Sequence, residues 1–157
     1  MSNQLQMGLS ELFREVFEGV APEASGTWFV QGKEAIFDAV QQLPAADASV
    51  RKCGMSASIG AHVRHLCYYL QLFNANLREE NPDSDWEGSW AVQEFDEESW
   101  QRLREELREE YDFAVDWYRS EPTYVDDEQA IYAIANLAHA AYHLGAIRAL
   151  LPVAGRS

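Results

Sequence analysis

All four histidines of the chain fall in two short runs: His62 and His65 in SIGAHVRHLCYYL, and His139 and His143 in NLAHAAYHLGAIRAL. Histidine is the side chain best suited to holding a transition metal in a water-soluble protein. His139 and His143 are four apart in a stretch that reads as helix, so both imidazoles lie on one face, one turn apart. One more histidine from a facing helix completes a three-nitrogen site. Such a site leaves coordination positions open for water or substrate, as a catalytic metal requires. The expectation is a mononuclear three-histidine metal centre inside a helix bundle. The competing reading is a set of core histidines hydrogen-bonded to carbonyls or water.

The elements that must position these residues read as helical nearly throughout. Leu5, Leu9, Leu12, Phe13, Val16, Phe17 and Val20 recur at three and four, which predicts an amphipathic helix over 4–20. APEASG breaks it. A second helix is expected from about Thr27 to Leu43, with Phe29, Ile36, Phe37, Val40 and Leu43 inward, ended by Pro44; 44–55 reads as loop. A third, over 56–79, takes Ser56 as N-cap and carries the stripe Ile59, Val63, Leu66, Leu70, Phe73 and Leu77. Residues 80–95 form a long acidic connection holding Trp86 and Trp90, either a crossover or a lid. A fourth helix opens at FDEESW, where Asp96 caps and Phe95 and Trp100 occupy the two positions of a hydrophobic staple. Its inner face is Trp100, Leu103, Leu107, Ala114 and Tyr118, and its outer face carries pairs such as Glu98–Arg102. The last helix is expected from about Thr123 to Leu151, with Asp126, Asp127 and Glu128 at its positive end and Pro152 stopping it. The expected fold is all-α: a four-helix bundle over 26–152 with an accessory N-terminal helix over 4–20, in a single domain spanning 1–157.

At about 100° per residue, His139, His143, Tyr132, Asn136, Ala146 and Leu150 share a face of the last helix. The third ligand is His62 or His65. By periodicity His62 lies nearer the centre of the apolar stripe, and His65 sits on its flank beside Tyr69 and Leu72. Tyr69, Tyr132 and Asn136 are the candidate catalytic residues, the tyrosines as donors to a developing oxyanion; the simpler reading of each is a core group satisfied locally. A di-iron carboxylate centre needs paired Glu-x-x-His motifs, and none occurs at these histidines. A structural zinc site would recruit cysteine. Cys67 lies two residues beyond His65 and points to another side of the helix, and Cys53 precedes that helix, so both read as incidental. The acidic stretch 79–98 lacks the spacing of a calcium loop and reads as a solvated connection. Trp86 and Trp90 read as packing on the bundle rather than as covers of a pocket mouth.

Composition narrows the partners. The net charge of -14 with only two lysines, Lys33 and Lys52, argues against nucleic acid and anionic membrane surfaces, both of which need clustered cations. An apolar content of 47% in 157 residues is ample for a core. No stretch approaches a membrane span, no secretory signal is apparent, and two cysteines do not make a disulfide framework, so a cytoplasmic protein is expected. Dimerisation through the apolar face of the N-terminal helix is a further expectation.

The run SIGAHVRHL, followed much later by HAAYHLGAIRALL, resembles the DinB/YfiT-like family of metal-dependent proteins. That family carries a Ser, a short apolar spacer and a His followed by an apolar residue on its second helix, and a pattern like HxxxHxGQI on its last. Measured from Ser58, the resemblance puts the ligand on His65 rather than His62, and the closing motif on His139 and His143 with Gly145 in place. It implies the set His65, His139 and His143, with His62 as a supporting residue or the alternative ligand. The likeness spans about 26–152. Ala146 stands where the family often has Gln, and the frequent Trp before the helix-two Ser is absent. The resemblance implies a divalent transition metal (Zn, Ni or Fe). Some members are transferases or isomerases that use a low-molecular-weight thiol, and others are read as hydrolases. Zinc-bound water at a pKa of about 7, or a thiol held as thiolate, would supply the nucleophile. The alternative is a non-catalytic metal-binding or stress-response protein.

Overall fold

A computed structural model describes residues 2–24, 26–28, 30–51, 54–120, 122–124 and 126–154. The described residues are all-helical, with no strand among them. Four helices are long: α1 (Ser2–Glu18), α4 (Ile59–Leu77), α5 (Glu97–Arg119) and α6 (Asp127–Ala154). Two are short: α2 (Ile36–Gln41) and α3 (Ala45–Ala48). Both α1 and α4 pack against α5 and α6. The expected second long helix is therefore absent, and α1, expected as an accessory, is one of the four principal helices.

The reason lies in Glu15. This carboxylate is buried on α1. It accepts hydrogen bonds from Thr27 Oγ1 (2.6 Å) and from the backbone N–H groups of Trp28 (3.0 Å) and Val30 (2.9 Å). Backbone donors that serve a distant carboxylate are not available to a helix, so the described residues among 26–35 are irregular and only 36–41 coils. Phe29 and Cys53, read above as inward and incidental respectively, lie outside the described residues.

The apolar face of α1 is spent inside the chain. Phe13 stands 4.7 Å from the Tyr118 ring, Phe17 stands 4.7 Å from the Tyr111 ring, and all four rings are buried. Leu5, placed on the apolar stripe of α1, is exposed. The stripe of α4 is buried at Ile59, Val63, Leu66, Leu70 and Phe73 and half-buried at Leu77. Its N-cap is Ser58, not Ser56: the Ser58 side chain accepts from Ala61 N–H (3.1 Å). That hydroxyl also donates to the Gln93 carbonyl (2.8 Å), which ties the start of α4 to the 80–95 connection. Gly60, in the first turn of α4, allows this closeness, because a Cβ there would stand 2.4 Å from the Phe95 ring.

The start of α5 is as read from sequence. Asp96 closes a capping box with Ser99, the Phe95 and Trp100 rings lie 5.8 Å apart, and Arg102 reaches Glu98 at 3.1 Å. α6 starts at Asp127 and runs through Pro152 to Ala154. Pro152 therefore does not stop the helix; it leaves the Arg148 carbonyl without its intrahelical donor in the final turn. α6 is apolar on nearly every side. Ile131, Ile134 and Tyr142 are exposed while Ala133, Ala140, Leu144 and Ile147 are buried. No helix among the described residues is long and apolar enough to cross a membrane.

Candidate metal centre

His65 from α4 and His139 and His143 from α6 offer ring nitrogens that all lie within 4.8 Å of one another. The i, i+4 spacing on α6 brings His139 Nε2 and His143 Nε2 to 3.0 Å. Two imidazole nitrogens sharing one ion at roughly 2.1 Å stand about 3–3.5 Å apart. The separation found is thus of the size that a shared ion requires. His62 does not join this group; it meets His143 on the opposite ring nitrogen, Nδ1 to Nδ1 at 3.1 Å.

That geometry fixes the tautomers a metal would need. His143 Nε2 faces His139, so with Nε2 given to an ion His143 Nδ1 would carry the proton and donate to His62 Nδ1. His62, accepting on Nδ1, would then be protonated on Nε2. A hydrogen bond on the far nitrogen orients a ligand imidazole and raises its basicity. His65 has the same support from a residue that sequence reasoning missed. Its Nδ1 lies 2.7 Å from Ser89 Oγ, and that hydroxyl donates to the Trp86 carbonyl at 2.6 Å. The Ser89 hydroxyl proton is therefore committed to Trp86, so Oγ accepts from His65 Nδ1–H and leaves Nε2 with a free lone pair. Ser89 sits in a single 3-10 turn, Gly88–Trp90, within the acidic connection. Gly88 starts this turn and donates its N–H to Asp85 Oδ1 (2.8 Å), and a Cβ on it would run into the Asp85 carboxylate. The one hint in the sequence was the S-W pair inside an otherwise acidic connection.

Trp90 closes the top of the cluster. Its ring stacks on His65 at 4.1 Å between centroids and 18° between planes, and meets His62 edge-on at 5.3 Å. The tryptophan thus packs on the bundle, as expected, and in doing so covers the histidines. Trp86 lies farther out, 6.1 Å from His65 and 46% exposed.

The cluster is dry enough to keep every imidazole neutral. Burial is the first cause for all four, and it lowers each pKa because the charged form loses its hydration. His139 falls to about 4 by burial and the proximity of His65. His143 falls to about 2 by burial and then by His139, His62 and His65. His62 and His65 are lowered in the same sense. Neutral imidazoles present lone pairs to a metal without first giving up protons. Buried polar atoms without a partner, His139 Nδ1 and Asn136 Oδ1, lie three residues apart on α6.

The three candidate catalytic residues are separated by the structure. The Tyr69 ring lies 3.9 Å from the His139 ring and is held off ionisation chiefly by burial. Tyr132 is 41% exposed and shares a neighbouring cleft with Tyr69. Asn136 is fully buried and its Nδ2 points to Tyr118 Oη at 3.5 Å, so it belongs to the core side of α6. Cys67 is buried away from the cluster, its thiol pushed up to about 12 by burial and by Glu106 and Glu110. None of the acidic side chains joins the histidine group among the described residues.

No protein-family model matches this chain, and neither the curated proteins nor the solved structures compared with it give a match.

Proposed function

We propose that this chain is a mononuclear divalent-metal protein of the DinB/YfiT type, a four-helix bundle in which His65, His139 and His143 hold Zn, Ni or Fe. The observation that carries the reading is the convergence on one point of three neutral imidazoles from two helices, two of them buried and His139 half-buried. The bundle is built from α1, α4, α5 and α6. A divalent ion there would act as a Lewis acid that stabilises a bound thiolate or activates water. The favoured activity is transfer to or from a low-molecular-weight thiol, with hydrolysis second.

The chain's own residues have definite tasks. Ser89 and His62 hold the protons on the outer nitrogens of His65 and His143. Trp90 excludes water from the α4 side, and the Tyr69 ring packs on His139. Access is from the side of His139, the least buried of the trio. The substrate is a small molecule, and neither nucleic acid nor membrane is a partner. The free, buried Cys67 thiol suits the reducing cytoplasm.

A homodimer belongs to the same proposal, but through α6 rather than α1. From Ile131 to Ala154 the only charged residue is Arg148, which pairs with Glu34. Two copies of a chain with a net charge of -14 repel one another least at this face.

A non-catalytic metal protein is the second reading, favoured by how nearly closed the centre is: His143 is 1% exposed and His65 7%. The deciding experiment is elemental mass spectrometry on untagged protein. About one metal per chain, lost in His65→Ala, His139→Ala and His143→Ala and retained in His62→Ala, supports the centre. Metal-free protein after reconstitution, or a His65→Ala variant that keeps its metal, overturns it. Turnover in a thiol-transfer screen separates the enzyme from the binding protein.

A further inference from the structure

Beside the histidines, on the open side, lies a cleft of about 350 Å3 between α4, the 80–95 connection and the start of α6. Its aromatic lining comes from three separate elements: Tyr69 and Phe73 on α4, Trp86 in the connection and Tyr132 on α6. Tyr69 is the link to the metal centre, since its ring packs on His139 at 3.9 Å and lies 5.9 Å from Trp86. The polar lining is Asn76, Asn81 and Ser84, all neutral. No lysine or arginine lines it. A second cleft shares Phe73, Asn76, Asn81 and Tyr132 with the first and brings in two carboxylates, Asp126 and Glu128.

This combination selects by charge. An aromatic face carries negative electrostatic potential and attracts an organic cation, more strongly where water is partly excluded. Amide and hydroxyl oxygens accept hydrogen bonds from an ammonium. The neighbouring carboxylates and the charge of -14 add attraction at longer range. A carboxylate or phosphate entering the same cleft would lose hydration and meet no cation in return.

We propose that the cleft walled by Tyr69, Trp86 and Tyr132 is a binding site for the ammonium end of a small organic amine, placing the rest of that molecule beside His139. The inference rests on the metal-centre reading only for what happens at the far end of the ligand; the cleft itself is formed by residues that hold no metal. Anionic thiols and phosphorylated metabolites are excluded from it, so the ligand is neutral or cationic overall.

The test uses two molecules of nearly the same shape, choline and 3,3-dimethyl-1-butanol, which differ by the positive charge. Each is titrated into the full chain, with and without Zn2+, and followed by two-dimensional NMR at the side-chain amide signals of Asn76 and Asn81 and the indole signal of Trp86. Choline is expected to shift all three in a saturable way, in both metal states, with an affinity about tenfold above that of the alcohol. Trp86 is partly exposed, so Trp86→Leu leaves the fold intact; it should erase most of that preference while changing the affinity for the alcohol by less than twofold. Equal or tighter binding of the alcohol overturns the proposal, as does silence of the cleft signals with both compounds. Equal choline preference in Trp86→Leu also overturns it. Failure to take up Zn2+ would sink the metal centre while leaving the cleft result readable.

Discussion

Acid should unfold the metal-free chain through its histidines. In the unfolded chain each imidazole titrates near pH 6.5, whereas folding lowers His139 to about 4 and His143 to about 2. The unfolded state therefore binds more protons below pH 6.5, and stability falls as the pH drops through that value. For His139 the loss is complete near pH 4, and for His143 it continues below that. At pH 5, keeping one imidazole neutral costs about 2 kcal/mol relative to an unfolded chain that is free to protonate. His143 is 1% exposed and carries this cost nearly in full, while His139 is more accessible and is screened. Together they should remove about 3 kcal/mol between pH 7.5 and pH 5. With an m-value of about 2 kcal/mol per molar urea, that moves the unfolding midpoint down by about 1.5 M. The assay is urea denaturation in the presence of a chelator, followed by circular dichroism at both pH values, on wild type and on the His139→Gln/His143→Gln variant. The variant should lose much less on acidification. A wild-type loss under about 1 kcal/mol, or an equal loss in the variant, would refute the claim that folding holds these rings neutral.

Ser89→Ala removes the acceptor that orients His65, so Zn2+ affinity in a chelator competition should fall about 10–100-fold, whereas an unchanged affinity would mean that the Ser89 contact does not support the ligand. Gly60→Val would place side-chain carbon inside the Phe95 ring position and loosen the start of α4, and should cost about 1–3 kcal/mol in thermal or urea unfolding. Tyr142→Glu puts a carboxylate in the middle of the neutral α6 face; sedimentation should show a dimer for wild type and a monomer for this variant, with the melting of the monomer little changed. In a Cys53→Ser background, Cys67 should react with a thiol reagent only as fast as the chain unfolds, because its thiol is buried and its pKa is pushed up to about 12.

The residues that converge were readable in advance because helical periodicity is local. A spacing of four on α6 places His139 and His143 together whatever else the chain does. The stripe on α4 and the Asp96 cap on α5 followed from equally short-range patterns, and so did an all-helical fold. On the choice between His62 and His65, phase alone pointed away from the ring that joins the cluster, because a stripe's centre marks the core whereas the cluster sits at the core's edge. His62 ended against the far nitrogen of His143, and His65 joined the cluster with His139 and His143.

Other features depended on partners distant in sequence. Glu15 takes the backbone donors of Trp28 and Val30, so a segment with acceptable helical periodicity did not coil there. Ser58 displaced Ser56 as the cap of α4 because its hydroxyl and N–H both meet Gln93, 35 residues on. Ser89 became the support of His65, and Trp90 its cover, only once the 80–95 connection folded back across the top of α4. Local pattern is enough to say which side chains share a helix face, since that follows from 3.6 residues per turn. Which faces meet, and which backbone donors are diverted to side chains, was settled by the packed fold, because both depend on contacts between residues far apart in the chain.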